Sequence, residues 1–193
     1  VQLSVNSDLK GVGLRLAELG WSKSEGSAGR LSFNTVLQKT PTIENLVLEA
    51  TGLRAAGRVT VKPDGGLDQA QFSSVSLGGW LQGPVTLRGR GNATPSLSMT
   101  GGWIDLERAP FSSRDEGRSA GGGGSNTPIS LAIDRLQVTQ ELSLSRFQGR
   151  FDTLGGFNGS FTGNLNTLTP VEGVVVPQVG GLAMRLRSAD AGG

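Results

Sequence analysis

The sequence predicts an all-β fold, mostly strand in one antiparallel sheet with little helix. Three observations lead there. Apolar residues recur with a period of two along much of the chain, the spacing of a strand with one buried face. Glycine supplies 31 of the 193 residues and aromatics only 5%. That suits short strands and backbone turns better than long helices, in which each interior glycine costs about 1 kcal/mol. Turn-forming clusters fall between the alternating runs densely enough to imply antiparallel neighbours joined in sequence, a meander. The hydrophobic fraction of 36% implies a thin core. The length fits one β domain or a slice of a longer repetitive sheet.

In chain order, the N-terminal third carries the fewest signals. Residues 43 to 56 are the only stretch arguable as a short helix, and Gly52 and the β-branched residues there weigh against it. Gly57, Val59 and Val61 then alternate with Arg58, Thr60 and Lys62, and Pro63-Asp64-Gly65-Gly66 follows as a hairpin turn, because Asp-Gly tolerates positive φ. Val85 and Leu87 alternate with Thr86 and Arg88, and residues 89 to 95 punctuate again. Residues 112 to 127, SSRDEGRSAGGGGSNT, are low-complexity Gly/Ser sequence of the kind that behaves as flexible coil, a loop or, at GGGGS 121 to 125, an engineered linker. They divide a first part of the sheet, 1–111, from its continuation, 128–193.

Beyond the linker, Ile129, Leu131 and Ile133 alternate with Ser130, Ala132 and Asp134. Leu142 and Leu144, then Phe147, Gly149 and Phe151, keep the pattern. After Gly155-Gly156 comes the clearest run, where Phe157, Gly159, Phe161, Gly163 and Leu165 share one face against Asn158, Ser160, Thr162 and Asn164. Bulky groups spaced by glycines suggest a lined trough with gaps between them. Residues 166 to 170 close the strand. A right-handed parallel β-helix of an adhesin is the alternative architecture, but no fixed repeat of roughly 20 to 30 residues supports it.

Several chemistries are excluded by composition. Histidine, cysteine and tyrosine are all absent. That removes the usual general base, thiol nucleophiles, disulfides and the commonest transition-metal ligands. No catalytic residue, metal site or cofactor is expected. A carboxylate pair at Asp105 and Glu107 is the surviving enzymatic candidate, weighed against a solvated charge pair. Gly89-Arg90-Gly91 precedes an apparent strand and not a helix, so it lacks the context of a phosphate loop. Asp64-Gly65 and Asp190 have no acidic ladder around them for calcium. Trp21, Trp80 and Trp103 each sit near glycine, where covering bare backbone is the plainer role than a carbohydrate platform.

The charges, 18 basic against 16 acidic for a net +2, are scattered, so no nucleic-acid footprint appears. No run of 18 or more apolar residues exists and VQLSVNSDLK has no signal-peptide layout. The expectation is a piece of a longer protein whose targeting and membrane segments lie elsewhere.

What remains is the apolar face. The residues expected to line it are Val59, Val61, Val85, Leu87, Leu97, Met99, Leu131, Ile133, Leu142, Leu144, Phe147, Phe151, Phe157, Phe161, Leu165, Leu182, Met184 and Leu186. Each is the apolar member of its alternating pair, and a one-residue slip would expose a whole strand. A charge at Phe161 is expected to block a ligand more than it unfolds the sheet.

Four phrases resemble the AsmA-like proteins of Gram-negative bacteria, in particular the YhdP-like members. They are LQGPVTLRGRGNATPSLSMTGGWIDLERAPF at 81 to 111, ISLAIDRLQVTQELSLSRFQGRFD at 129 to 152, GFNGSFTGNLN at 156 to 166 and LAMRLRSADAG at 182 to 192. The likeness covers roughly residues 55 to 193. It implies an elongated, twisted antiparallel sheet curled into a periplasmic groove with a hydrophobic floor, anchored to the inner membrane, that passes phospholipid towards the outer membrane. A non-catalytic scaffold that meets envelope protein partners through the same face is the competing function.

Overall fold

The computed structural model describes residues 2–16, 21–36, 40–110, 126–178 and 181–188. The chain runs through β1 (Gln2–Ser7), β2 (Leu14–Leu16), β3 (Trp21–Lys23), β4 (Arg30–Val36), β5 (Thr42–Ala50), β6 (Leu53–Val61), β7 (Leu67–Leu77) and β8 (Leu81–Arg90). It continues through β9 (Ala93–Thr100), β10 (Trp103–Asp105), β11 (Ile129–Gln137), β12 (Ser143–Asp152), β13 (Asn158–Leu165), β14 (Thr169–Gln178) and β15 (Gly181–Ser188). The described residues contain no helix, and residues 43 to 56 are strand around a turn at Thr51-Gly52. All strands but the β2–β3 hairpin belong to one 13-stranded sheet, edged by β1 and β15. Both halves of the chain enter it, and its ladders are antiparallel except those of β11 with β9 and β10, which rules out a parallel β-helix.

The local chemistry of the turns accounts for the sequential pairing. At the Asp-Gly turn, the Lys62 amide donates to the Gly66 carbonyl (2.7 Å) and the Gly65 amide to the Lys62 carbonyl (2.9 Å). Gly65 has φ +85°, and the Asp64 carboxylate accepts the Gly66 amide at 3.0 Å. The turn expected over residues 89 to 95 is narrower. It spans Gly91 and Asn92, leaving Pro95 inside β9. Pro95 falls where the β8–β9 register shifts, and Pro84 where the β7–β8 register shifts. Proline lacks the ladder donor, so a bulge is where a strand tolerates it.

The pure meander fails at one place. β9 and β10 lie end to end, bent at Gly101 and Gly102, both with positive φ. Both run antiparallel to β8 and parallel to β11. After Asp105 the chain therefore has to return the length of a strand before β11 begins beside Leu97, and a parallel step needs a connection of a dozen residues or more. Residues 111–125, GGGGS included, lie outside the described residues.

Between β1 and β4 the chain makes a small lobe around β2 and β3. Lys23 is buried there with no acidic partner among the described residues. Its ammonium donates to the carbonyls of Leu9 (2.7 Å), Val12 (2.9 Å) and Ser24 (3.0 Å). Trp21 donates from Nε1 to the Thr51 carbonyl at 2.9 Å and covers Gly52. Its ring joins the same apolar cluster as Leu53, Leu77 and Trp80, so the lobe sits on one rim of the apolar face.

Candidate functional site

Residues paired across neighbouring strands point to the same side of a sheet, so the register traces each face row by row. One row runs Leu3, Thr35, Ile43, Val59, Ala70, Leu87, Leu97, Ile129, Phe151, Gly159, Val175 and Met184. A second runs Leu46, Gly57, Phe72, Val85, Met99, Leu131, Gly149, Phe161, Gly173 and Leu186. Ile133 pairs with Phe147 beyond it. At the lobe's rim, Leu53, Leu77, Leu81, Ile104, Leu136, Leu144 and Leu165 form a further row. Ile133 and Leu136 share this side although three apart, as do Leu144 and Phe147, which flank Arg146 at φ +50° where the β12–β13 ladder shifts register. The bulge flips the strand's parity and keeps its apolar side inward.

These rows hold most of the residues singled out from sequence. Val61 pairs with Leu67, one step beyond the first row. Phe157 precedes β13, and its ring stacks on Phe151 at 4.9 Å. Leu182 pairs with Pro177, but its side chain lies outside the described residues. Leu142 is in the turn before β12, where its amide donates to Thr139 Oγ1 at 3.2 Å. The opposite face is polar. Arg58 Nε donates to Gln71 Oε1 at 2.7 Å, and Thr60 Oγ1 to Asp68 Oδ2 at 3.0 Å. An open depression on the bulge line of β5 to β7, bordered by Glu44, Asn45, Arg58 and Gln71, gathers no convergent constellation of polar groups.

The expected gaps between the phenylalanines are filled. Phe161 stacks on Phe147 at 5.3 Å, and Phe147 on Phe151 at 6.3 Å. The rings lie over glycines of neighbouring positions. A Cβ built on Gly173 would meet Phe161 Cζ at 2.5 Å, and one on Gly159 would meet Phe151 Cδ1 at 2.6 Å. The glycines thus admit the rings, and aromatic cover on bare strand backbone closes the trough here. Met99 (1% exposed) and Phe147 (2%) are core. Phe161 is buried too, so a carboxylate there would be desolvated by protein, contrary to the expectation for an open groove.

Away from this stack the face is open. Val59, Val61, Val85, Leu87, Leu97 and Leu131 are half-buried, and at the two edges Leu3 (44%) and Met184 (50%) are exposed. Sequence reasoning missed the lining of β1, β4 and β5 and, on β14, Val171 and Val175. On β14 the alternation is masked, because Val174 and Val176 put apolar side chains on the polar face as well. On β4 a signal was present, Leu31, Phe33 and Thr35 alternating with Ser32 and Asn34.

The other candidates resolve into structure. Asp105 Oδ1 accepts the amides of Glu107 (3.0 Å) and Arg108 (3.3 Å), and Oδ2 lies 3.3 Å from Arg108 Nε. Glu107 is in the turn after β10, so the two carboxylates do not share a strand face. Trp80 covers Gly78 as Trp21 covers Gly52. Among the described residues no group of three or more His, Cys, Asp or Glu is placed to hold a metal, and no helix is long and apolar enough to cross a membrane. Asp190 lies outside them. Comparison with protein-family models, with curated proteins and with solved structures finds no match to this chain.

Proposed function

We propose that the sheet shields phospholipid acyl chains on its apolar face, as part of a periplasmic lipid-transport bridge between inner and outer membranes. The observation that carries this reading is the register itself. One row runs from edge strand β1 to edge strand β15, apolar but for Thr35, and no second layer of strands covers it among the described residues. Bulges in the ladders on both sides of β5 and β7, and between β12 and β13, bend and coil strands, and these are the devices that curl a sheet into a groove. At about 25 cal/mol per Å² of apolar area, an acyl chain covering some hundreds of Å² gains several kcal/mol. Such contacts are non-directional, so a chain held by them slides.

The half-open rows of β4 to β9 receive the chain on this reading, and passage across β12 to β14 requires the phenylalanine rings to leave their glycines. The resemblance of four phrases to AsmA-like proteins supports the same reading, of a protein held at the inner membrane by other segments. No catalytic step and no cofactor enter the proposal. A benzophenone amino acid at position 87 is expected to label with radioactive phosphatidylethanolamine in vesicles, and one at position 88, on the polar face, is not. Equal labelling at both sinks the reading. The exposed Met184 and Leu186 on edge strand β15 favour one competitor, a scaffold that meets a protein partner through this face. Its signature in native mass spectrometry is a lipid-free dimer.

A further inference from the structure

The two edges of the sheet are regular where much of its interior is bulged. Register shifts interrupt the ladders from β4–β5 to β8–β9 and at β12–β13. The β1–β4 and β14–β15 ladders at the edges have none. Natural sheets guard an edge with bulges, proline or inward-pointing charge, because its free amides and carbonyls template another strand. β15 carries no proline and no bulge, its charges Arg185 and Arg187 lie on the polar side, and no strand lies beyond it among the described residues. On the apolar side it leaves Met184 (50%) and Leu186 (47%) exposed. The other edge offers less, since Val5 on β1 is half-buried.

We propose that β15 is a self-association surface, to which β15 of a second copy of this chain adds antiparallel about a twofold axis normal to the sheet, with Met184 facing its own counterpart. The sequence of the strand selects that register. Such a twofold keeps both apolar sides on one face only when a residue pairs with its own counterpart. Centring on Arg185 sets two guanidinium groups directly opposite, and centring on Leu186 sets Arg185 against Arg187. Like charges in those positions repel. Centring on Ala183 separates the arginines but pairs only residues 181 to 185. Centring on Met184 pairs residues 181 to 187, sets Arg185 against Ala183 and Arg187 against Gly181, and leaves the arginines no closer than diagonal. The apolar row that ends at Val175 and Met184 then continues into the second copy. This contact goes beyond the lipid reading and stands without it. It leaves the apolar face open, unlike a scaffold dimer made through that face.

The chain has no cysteine, so Met184→Cys and Arg187→Cys each supply a single thiol. Mild oxidation of the full chain is expected to link Met184→Cys into a covalent dimer, because facing residues of an antiparallel pair are within disulfide reach. Arg187→Cys is expected to stay unlinked, its counterpart lying about 20 Å away along the ladder. Sedimentation velocity is expected to show a wild-type dimer whose dissociation constant rises about tenfold in Met184→Lys, where two ammonium groups would face each other. The circular dichroism of that variant is expected to match wild type. Leu3→Lys on the other edge and Leu87→Asp on the open face are expected to stay dimeric. A monomeric wild type, or equal linking at 184 and 187, overturns the inference. So does a dimer that Leu3→Lys or Leu87→Asp dissolves and Met184→Lys leaves intact. A dimer dissolved by Met184→Lys alone that takes up no phosphatidylethanolamine upholds the edge contact and sinks only the lipid reading.

Discussion

Strands β11 to β14 and strands β4 to β6 carry the same alternation, yet the first group makes a core and the second a surface. In β11 to β14 the apolar side holds Ile133, Leu136, Leu144, Phe147, Phe151, Phe161, Val171 and Val175, all buried. In β4 to β6 the same side holds Leu31, Phe33, Ile43, Leu46, Leu48 and Val59, all half-buried, and burial appears only at Thr35 and, near the lobe, at Leu53 and Ala55. The difference is one of volume and cover. Rings reach sideways over glycines on the next strand and exclude water without a second layer, whereas branched aliphatic side chains stand up from the pleat and need something laid on top. Period two therefore fixes which side is apolar, and side-chain reach decides whether that side is already filled.

The largest expected effect tests this contrast directly with one substitution in each group of rows. Phe161→Asp places a carboxylate beneath Phe147 and over Gly173, where burying it without a partner costs several kcal/mol, a large share of the roughly 5 to 15 kcal/mol that holds a domain together. Leu87→Asp places the same group on a half-buried position of the open rows. Urea unfolding is expected to show Phe161→Asp largely unfolded and Leu87→Asp folded, with phospholipid uptake lost in the latter. Comparable unfolding midpoints for the two would erase the distinction between core and open face.

A smaller effect separates the lobe from the sheet. Lys23→Met removes the ammonium and leaves the carbonyls of Leu9, Val12 and Ser24 unpaired, a loss of about 2 to 3 kcal/mol confined to residues 8 to 29. Hydrogen exchange is expected to accelerate at the Gly11 and Gly29 amides, which bond the Glu25 and Asp8 carbonyls, while the β12–β13 ladder keeps its protection. Uniform acceleration through both would show that the lobe and the sheet unfold as one unit.

How far this was legible in the sequence follows from what each feature depends on. The Asp64-Gly65 turn is a local matter of φ and side-chain hydrogen bonding, and its residues announce it. The parity flip around Arg146 is set by tertiary pairing, and an arginine at positive φ has no sequence signature. Parallel pairing of β11 with β9 and β10 was hidden for the same reason, because turn signals count neighbours in sequence and the return connection carries none. Thr35 escaped notice because threonine is at home on either face of a strand.

The smallest expected effect bears on the register of β14, where sequence could not tell the faces apart. Val174 and Val175 are adjacent and chemically identical, but Val174 pairs with Arg185 on the polar side while Val175 pairs with Met184 on the apolar side. Valine to threonine keeps the branching and exchanges a methyl for a hydroxyl, so propensity is nearly constant and only the surroundings differ. At the buried Val175 the new hydroxyl is desolvated, a loss of about 1 to 2 kcal/mol. At the exposed Val174 it stays in water, and the change is expected within about 0.5 kcal/mol of zero. Urea midpoints of the two variants, measured side by side, read the face from the sign of their difference. A larger loss at Val174 would mean that β14 is paired one residue out of the register described, which would put Val171, Gly173 and Val175 on the polar side and break the apolar rows between Phe161 and Leu186.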